Sequence, residues 1–235
     1  MSLDLSAPHA PPLYTDGAYL AATGGTWPLD DAPFTAKYVD LLVRRNGLEP
    51  ATVCEIGCGA GGVLAQLRQS RPAAELTGYD ISPQAHALSR RFAGDRLKFV
   101  LGDALALPER YDLALVMDVV EHVEDCFGFL RGVREKGAWQ IYHLPLEINA
   151  STALRDMLAE GYRLGHIHHF SLSTARAALR YTGHDGVDSG LTPVALECGK
   201  LGRTQVANLV RRCLPAPLCT RLLGGYSLMA LCRRS

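Results

Sequence analysis

Residues 55–62 read Glu-Ile-Gly-Cys-Gly-Ala-Gly-Gly, and no other stretch of the chain restricts its fold as strongly. The apolar run Thr52–Ile56 leads into this turn. The segment Gly61–Gln69, with Val63, Leu64 and Leu67 on one helical face, leads out of it. A strand, a glycine turn and a helix in that order place helix N-terminal N–H groups at the carboxyl end of a sheet, where a ligand can meet them. Glycine is required because a Cβ would obstruct both the sharp turn and the approach of the ligand. Alone the pattern is ambiguous, since Gly57, Gly59 and Gly62 also satisfy the dinucleotide fingerprint Gly-x-Gly-x-x-Gly.

The surrounding pattern repeats the same unit. Strands are expected at Leu76–Tyr79, Leu97–Leu101, Tyr111–Met117 and Trp139–His143, with helices from Ser82-Pro83 to Phe92 and from Glu124 to Glu135. Ser82 and Pro83 supply an N-cap and a first-turn proline. Upstream, Phe34, Tyr38, Leu41 and Leu42 predict a helix over Pro33–Asn46 that Gly47 stops, preceded by a loosely ordered arm rich in Pro, Gly, Ala and Thr. After Pro145 the rhythm changes. Helices are expected at Ala150–Glu160, at Ser173–Thr182 with Ser171 or Ser173 as cap, and at Leu201–Cys213, and a glycine turn with a terminal strand at Gly224–Cys232. A strand reached by a turn can run antiparallel. The expected fold is therefore a doubly wound α/β domain on a mostly parallel, seven-stranded sheet. One antiparallel strand lies near its edge, helices cover both faces, and there is a helical N-terminal arm and a late helical insertion. Residues 1–50 form the arm and helix on the lid or substrate side. Residues 51–235 form the main domain, divided into a cofactor half, 51–146, and a substrate side, 147–235.

Two acids extend the glycine turn into a pocket. Asp80 closes the second strand, where a carboxylate accepts hydrogen bonds from both ribose hydroxyls. Asp103 follows the third strand, where it can accept from an adenine amine while the Ala104 N–H pairs with a ring nitrogen. Glu55 discriminates between ligands, because it repels a pyrophosphate and attracts an ammonium group.

These residues resemble the core of class I S-adenosylmethionine-dependent methyltransferases. The family's acidic-x-Gly-x-Gly-x-Gly pattern is met by Glu55, Gly57, Gly59 and Gly61, its ribose acid by Asp80 and its adenine acid by Asp103. Residues 117–123, Met-Asp-Val-Val-Glu-His-Val, are similar to the same stretch of ubiquinone-type O-methyltransferases and their type-11 and type-12 relatives, and the resemblance spans residues 51–146. Less specifically, residues 165–171 and the terminal Gly-Gly-Tyr-Ser strand resemble the later elements of the same group, and Thr26-Trp27 with the Gly-His-x-His of residues 165–168 resemble a bacterial branch linked to polysaccharide or secondary metabolism. The resemblance implies methylation of a small molecule, with O-methylation favoured and N-methylation the alternative. It also implies that Glu55, Gly57, Gly59, Gly61, Asp80, Ile81, Asp103, Ala104 and Met117 hold S-adenosylmethionine, which leaves as S-adenosylhomocysteine. The competing readings are an NAD(P)-dependent oxidoreductase and a non-catalytic module that binds S-adenosylmethionine.

Methyl transfer needs alignment, exclusion of water and, for an oxygen nucleophile, a base. His166 or His168 is the expected base or substrate-orienting group, and no third metal ligand is identifiable beside this His-x-His pair. In ubiquinone-type enzymes the acid, Glu and His matching Asp118, Glu121 and His122 carry a divalent metal. The alternative, favoured here, is that Glu121 and His122 cap and pack the next helix. His143 and His86 are expected to be structural. Tyr14, Tyr19 and Trp27 are candidates for an aromatic lid over the sulfonium, or for ordinary packing.

Composition sets the remaining boundaries. The 24 basic and 24 acidic residues cancel, yet residues 199–235 hold seven basic and no acidic side chains. Residues 1–198 are acid-leaning, which argues against general nucleic-acid binding, as does the lack of the Asn/Asp-Pro-Pro-Tyr motif of amino-directed DNA enzymes. The basic end marks a place to look for an anionic acceptor. Seven scattered cysteines without a Cys-x-x-Cys pair are expected to be reduced and buried. No apolar run is long enough for a membrane span, and the first residues carry no signal-peptide pattern, so a cytoplasmic protein is expected. The acceptor's identity, the metal and the oligomeric state stay open at the level of sequence.

Overall fold

The computed structural model describes Tyr14, residues 18–22, Trp27 and residues 29–154, 165–198 and 205–234. Most of the expected arm, Thr26, residues 155–160 of one expected helix and residues 201–204 of another lie outside the described residues. The strands are β1 (Thr52–Ile56), β2 (Glu75–Asp80), β3 (Leu97–Leu101), β4 (Tyr111–Met117), β5 (Gly137–Pro145), β6 (His184–Thr192) and β7 (Ser227–Arg234). The helices are α1 (Ala18–Ala22), α2 (Ala32–Arg45), α3 (Gly62–Ser70), α4 (Pro83–Ser89), α5 (Cys126–Arg134), α6 (Ala150–Leu154), α7 (Leu172–Tyr181), α8 (Val194–Glu197), α9 (Gln205–Cys213) and α10 (Ala216–Leu222).

The strands form one sheet in the order β3-β2-β1-β4-β5-β7-β6. Strands β1 to β5 are parallel, and β7 runs antiparallel to both β5 and β6. The strand alternation distributes one sequence to two cores. Leu113, Leu115 and Met117 of β4 face a layer containing Val39, Leu42 and Val43 of α2 and Leu64 and Leu67 of α3. Ala114 and Val116 face Leu130 and Val133 of α5 and Ala175 and Leu179 of α7. Helix α2 thus belongs to the packed layer over the sheet. The caps follow the sequence: Ser82 Oγ accepts from Ala85 N at 3.3 Å, and Ser171 forms a capping box with Thr174.

Strand β6 is the element that local pattern conceals. It carries Gly186 and Gly190, its side chains are mostly exposed, and its register shifts between Gly186 and Asp188. Pairing along β7 supplies the order that its side chains do not, as suits a bulged edge strand. Among the cysteines, Cys54, Cys58, Cys126, Cys219 and Cys232 are buried and all seven are free thiols. Cys213, however, is exposed and Cys198 half-buried, because α8 and α9 leave part of their surface uncovered. Among the described residues no helix is long and apolar enough to cross a membrane.

Candidate active site

The chain reverses its direction of winding between β1 and β4, and two adjoining cavities open at the carboxyl ends of the strands there. The glycine turn is tied to β2 by hydrogen bonds from Gly57 N and Cys58 N to Tyr79 O, 2.8 and 2.9 Å. Gly57, Gly59 and Gly61 all have positive φ, +73°, +53° and +80°, a region that residues with a Cβ avoid.

The larger cavity, about 580 Å³, is bordered by Gly57, Gly59, Asp80, Ile81, Asp103 and Ala104 among others. Asp80 Oδ2 accepts from Gly59 N at 2.7 Å and Oδ1 from Ser82 N at 2.8 Å, which locks the two strand ends together. Burial pushes its carboxyl up, against the pull of these N–H groups. Asp103 Oδ1 accepts from Leu105 N at 2.8 Å and caps a short 3-10 turn. Each oxygen engaged in this way retains a second lone pair.

The smaller cavity, about 390 Å³, is bordered by Glu55, Met117, Glu121, His143 and His166. Glu55 is 2% exposed, and its Oε2 has no hydrogen-bond partner among the described residues. Burial and the neighbouring Asp80 push its carboxyl well above the usual range. Tyr19, Trp27, Asp118 and His122 border both cavities. The Trp27 indole lies directly on Gly59, where an added methyl group would stand 2.6 Å from Nε1. Its ring centroid is 4.8 Å from that of Tyr19, which in turn is 5.0 Å from Tyr14. The aromatic trio expected from the sequence therefore gathers over the glycine turn.

Two of the expected site residues stand apart from both cavity walls. Gly61 borders neither, and a Cβ there would meet Phe99 and Ser89, so its glycine serves the helix start and its packing. His168 is turned away, with Nε2 3.2 Å from the Glu124 carbonyl. His166 and His169, rather than His166 and His168, act together: their Nδ1 atoms donate to Oε1 and Oε2 of Glu147 at 2.8 and 2.6 Å. Burial raises the Glu147 carboxyl, but the two imidazoles outweigh it and hold it below the usual range.

The acid-Glu-His set implied by the resemblance is not assembled as such. Asp118, at φ +53°, accepts from His143 Nδ1 with both oxygens, at 2.8 and 2.9 Å. His143 Nε2 lies 2.9 Å from Thr192 Oγ1, which lies 3.2 Å from Ser227 O. His143, expected to be structural, thus holds a site residue from within β5. Glu121 and His122 form a 3-10 turn and do not cap α5; Asp125 does, accepting from Gly128 N. Instead, ligating atoms of Glu121, His122 and His166 all lie within 4.8 Å of one another. His166 thereby meets the further ligands that its sequence neighbourhood does not reveal. His122 is held down to about 4, chiefly by burial and then by the neighbouring His166.

No Lys or Arg among the described residues borders either cavity. Arg211 is buried and donates to Gly224 O and Leu223 O, while Arg233 pairs with Asp185. Lys200 and Arg203 lie outside the described residues. The anionic acceptor suggested by the basic end therefore has no cation to meet it among the described lining residues.

A parallel sheet with a reversed, antiparallel end and a cavity at its switch point defines the Rossmann-like methyltransferase fold. The chain belongs to the methyltransferase-domain family, whose model matches residues 32–188. It is 34% identical over 114 residues to the ubiquinone biosynthesis O-methyltransferase of Methylobacterium sp. (strain 4-46), a match covering 42% of this chain and 45% of that protein. The chain spans about half the length of the curated relatives it matches. Among solved structures it is similar to magnesium protoporphyrin IX methyltransferase of Synechocystis PCC 6803 with bound SAH (TM-score 0.60, 20% identity, 86% of this chain and 83% of that one). It is also similar to a cyclopropane synthase of Mycobacterium tuberculosis (TM-score 0.59, 12% identity, 84% and 83%). At these identities the likeness shows the fold alone, and the two names describe different reactions.

Proposed function

We propose that the protein is an S-adenosylmethionine-dependent methyltransferase acting on an oxygen atom of a small molecule, with nitrogen the alternative nucleophile. The observation that carries this reading is Glu55, a buried carboxylate with an unpartnered oxygen beside the glycine turn. A carboxyl buried in this way ionises only beside a cation, and the ammonium of a methionyl group provides one, whereas a pyrophosphate does not. When bound, S-adenosylmethionine supplies an electrophilic methyl carbon on a sulfonium. Asp80 accepts from the ribose hydroxyls, Asp103 and Ala104 receive the adenine edge beside Ile81, and Gly57, Gly59 and Met117 allow close approach of the rest. Gly61 acts one step back, by shaping the turn.

The acceptor enters the smaller cavity, which Phe34, Glu121, His143 and His166 border. Residues 51–146 serve the cofactor, while residues 1–50 and 147–235 serve closure and acceptor capture. Asp118 stands where the cavities meet, 46% exposed and aimed by His143. In this reading its carboxylate takes the proton that the acceptor hydroxyl loses as its oxygen bonds to the methyl carbon and the carbon–sulfur bond breaks. His166 orients the acceptor, Tyr19 and Trp27 exclude water, and His168 has no part. A setting in secondary-metabolite or polysaccharide-related biosynthesis belongs to the same proposal and rests on the sequence resemblance.

Melting curves with added ligand test the cofactor. Stabilisation by S-adenosylhomocysteine and none by NAD(H) is expected, and the converse would replace this reading with the oxidoreductase one. Transfer of labelled methyl into a metabolite extract tests catalysis, and tight cofactor binding without incorporation would leave a non-catalytic binding module.

A further inference from the structure

We infer that Glu121, His122 and His166 form a tripod for a primary ammonium group, so that the acceptor is an amino alcohol whose nitrogen is held while its hydroxyl is methylated. The inference names the acceptor class of the methyltransferase reading and rests on that reading for its role. Glu121 is 0% exposed, and neither of its carboxylate oxygens has a hydrogen-bond partner among the described residues. The Gly165 carbonyl, 3.0 Å from His122 Nδ1, can only accept, which assigns the proton to Nδ1 and the lone pair to Nε2. The Tyr14 hydroxyl, 2.6 Å from the same Nδ1, stands beside that proton as a second acceptor. Glu147 takes the Nδ1 proton of His166 and leaves Nε2 of that ring with its lone pair. All three residues border the smaller cavity, and each has an acceptor to offer there.

Acceptors gathered in a buried place repel one another unless a donor or a positive charge lies between them. A primary ammonium supplies both, with three N–H bonds on one cationic nitrogen. At hydrogen-bond lengths of about 2.8 Å, its tetrahedral angles set its three partners about 4.6 Å apart. The atoms here lie within 4.8 Å of one another, with His122 Nε2 3.9 Å from Glu121 Oε1. A tetrahedral metal ion, with bonds of about 2.0 to 2.2 Å, would need them roughly 3.3 to 3.6 Å apart. The ammonium therefore fits the side chains as they stand. The frame is held in place, because Ile167 N and His168 N both donate to Glu121 O, at 2.8 and 3.0 Å, and tie the two segments together.

The charge around the cavity agrees. Glu55, Asp118 and Glu121 border it, and no Lys or Arg among the described residues does. Asp118 is paired with His143, and Glu55 takes the ammonium of the cofactor, which leaves Glu121 for the acceptor. A nitrogen held as an ammonium has no lone pair, so the hydroxyl is the nucleophile. Its proton passes to Asp118 as its oxygen bonds to the methyl carbon. The carbon–sulfur electron pair stays on sulfur, giving a neutral thioether and a methyl ether that keeps its ammonium group.

The test uses the full-length chain, untagged, in buffer containing a chelator, with S-adenosylhomocysteine present and its own binding measured by calorimetry on the same samples. The probes are propylammonium, propyltrimethylammonium, which has the charge without N–H bonds, and 1-propanol, which has no charge. Propylammonium should bind once per chain and about 10-fold or more tighter than either control. Glu121→Gln and His166→Ala should each weaken it by about 10-fold or more. If a variant melts early, the wild-type preference among the three probes carries the test. In a metabolite extract supplied with labelled S-adenosylmethionine, the methylated product should react with dansyl chloride as a primary amine. Binding of S-adenosylhomocysteine with no preference for propylammonium overturns the tripod alone, a proton on Glu121 then accounting for its burial. A preference lost in Glu55→Gln but kept in Glu121→Gln overturns it too, as does propylammonium binding that requires added Zn²⁺ or a labelled product without an amine. A preference for propylammonium without S-adenosylhomocysteine binding supports the tripod and removes the methyltransferase reading instead.

Discussion

The two cavities differ in how their acids are provided for. Around the larger one, Asp80 and Asp103 already hold backbone N–H groups and keep lone pairs in reserve, so the wall is complete before a ligand arrives. Around the smaller one, Glu55 and Glu121 are buried with oxygens that have no hydrogen-bond partner among the described residues. The first arrangement can receive neutral hydroxyl and amine donors. The second is stable only with a proton or a cation present. One site thus contains a preformed half and a half that awaits positive charge.

The largest effect that would break this contrast is expected at Asp80. Asp80→Ala should weaken S-adenosylhomocysteine binding by about 1.5 to 3 kcal/mol in calorimetry, the scale of a lost charged hydrogen bond. Unchanged affinity in a folded variant would show that the larger cavity does not hold the ribose.

Next comes a histidine outside the site. His184 is buried and held down to about 4, chiefly by burial. Its Nδ1 lies 3.2 Å from Leu179 O and its Nε2 2.5 Å from the Tyr142 hydroxyl. A histidine with a lowered folded-state value leaves stability intact above its ordinary value near 6.5. Stability then falls as pH drops from there to about 4, because the unfolded chain takes up the proton first. A loss on the order of 2 kcal/mol is expected across that window. Urea unfolding at stepped pH should show a shallower slope in His184→Asn, and an unchanged slope would place the acid sensitivity elsewhere.

Gly59→Ala tests the lid. A side chain at φ +53° against the Trp27 indole should cost about 1 to 2 kcal/mol of stability and shift tryptophan fluorescence. An unshifted spectrum would mean that the indole does not rest on the turn.

The smallest effect is the sharpest in sign. Glu55→Gln should raise the melting temperature of the ligand-free protein, because an ionisable group is no longer buried without a partner. It should also weaken S-adenosylhomocysteine binding by about 1 kcal/mol. Stability and affinity moving in the same direction would remove the contrast between the cavities.

The larger cavity was legible because its polar residues sit at strand ends and in the turns that follow. Asp80 closes β2, Asp103 follows β3, and Glu55 stands two residues before the first glycine of the turn; a periodic pattern places each without knowledge of the rest. Gly61 belongs to the same motif, yet its φ and its contact with Phe99 and Ser89 show a structural duty that motif matching does not separate from ligand contact. Strand β6 leaves little trace in the sequence because its order comes from β7, and its own side chains, mostly exposed and broken by glycines, carry little pattern.

The smaller cavity was legible only in its ingredients. Glu121, His122 and His166 were each candidates, but their meeting depends on two backbone hydrogen bonds across more than forty positions. His143 and Asp118 meet because β4 and β5 pair in a register that places their ends side by side. The amino-acid sequence by itself determined the alternation of strands and helices, the turn at Glu55–Gly62 and the acids of the nucleoside pocket, since these depend on neighbours a few residues apart. Tertiary structure alone decided which histidine faces which carboxylate. Such pairs form between segments distant in the chain, and their geometry is set by sheet register and loop clamps that local propensity does not encode.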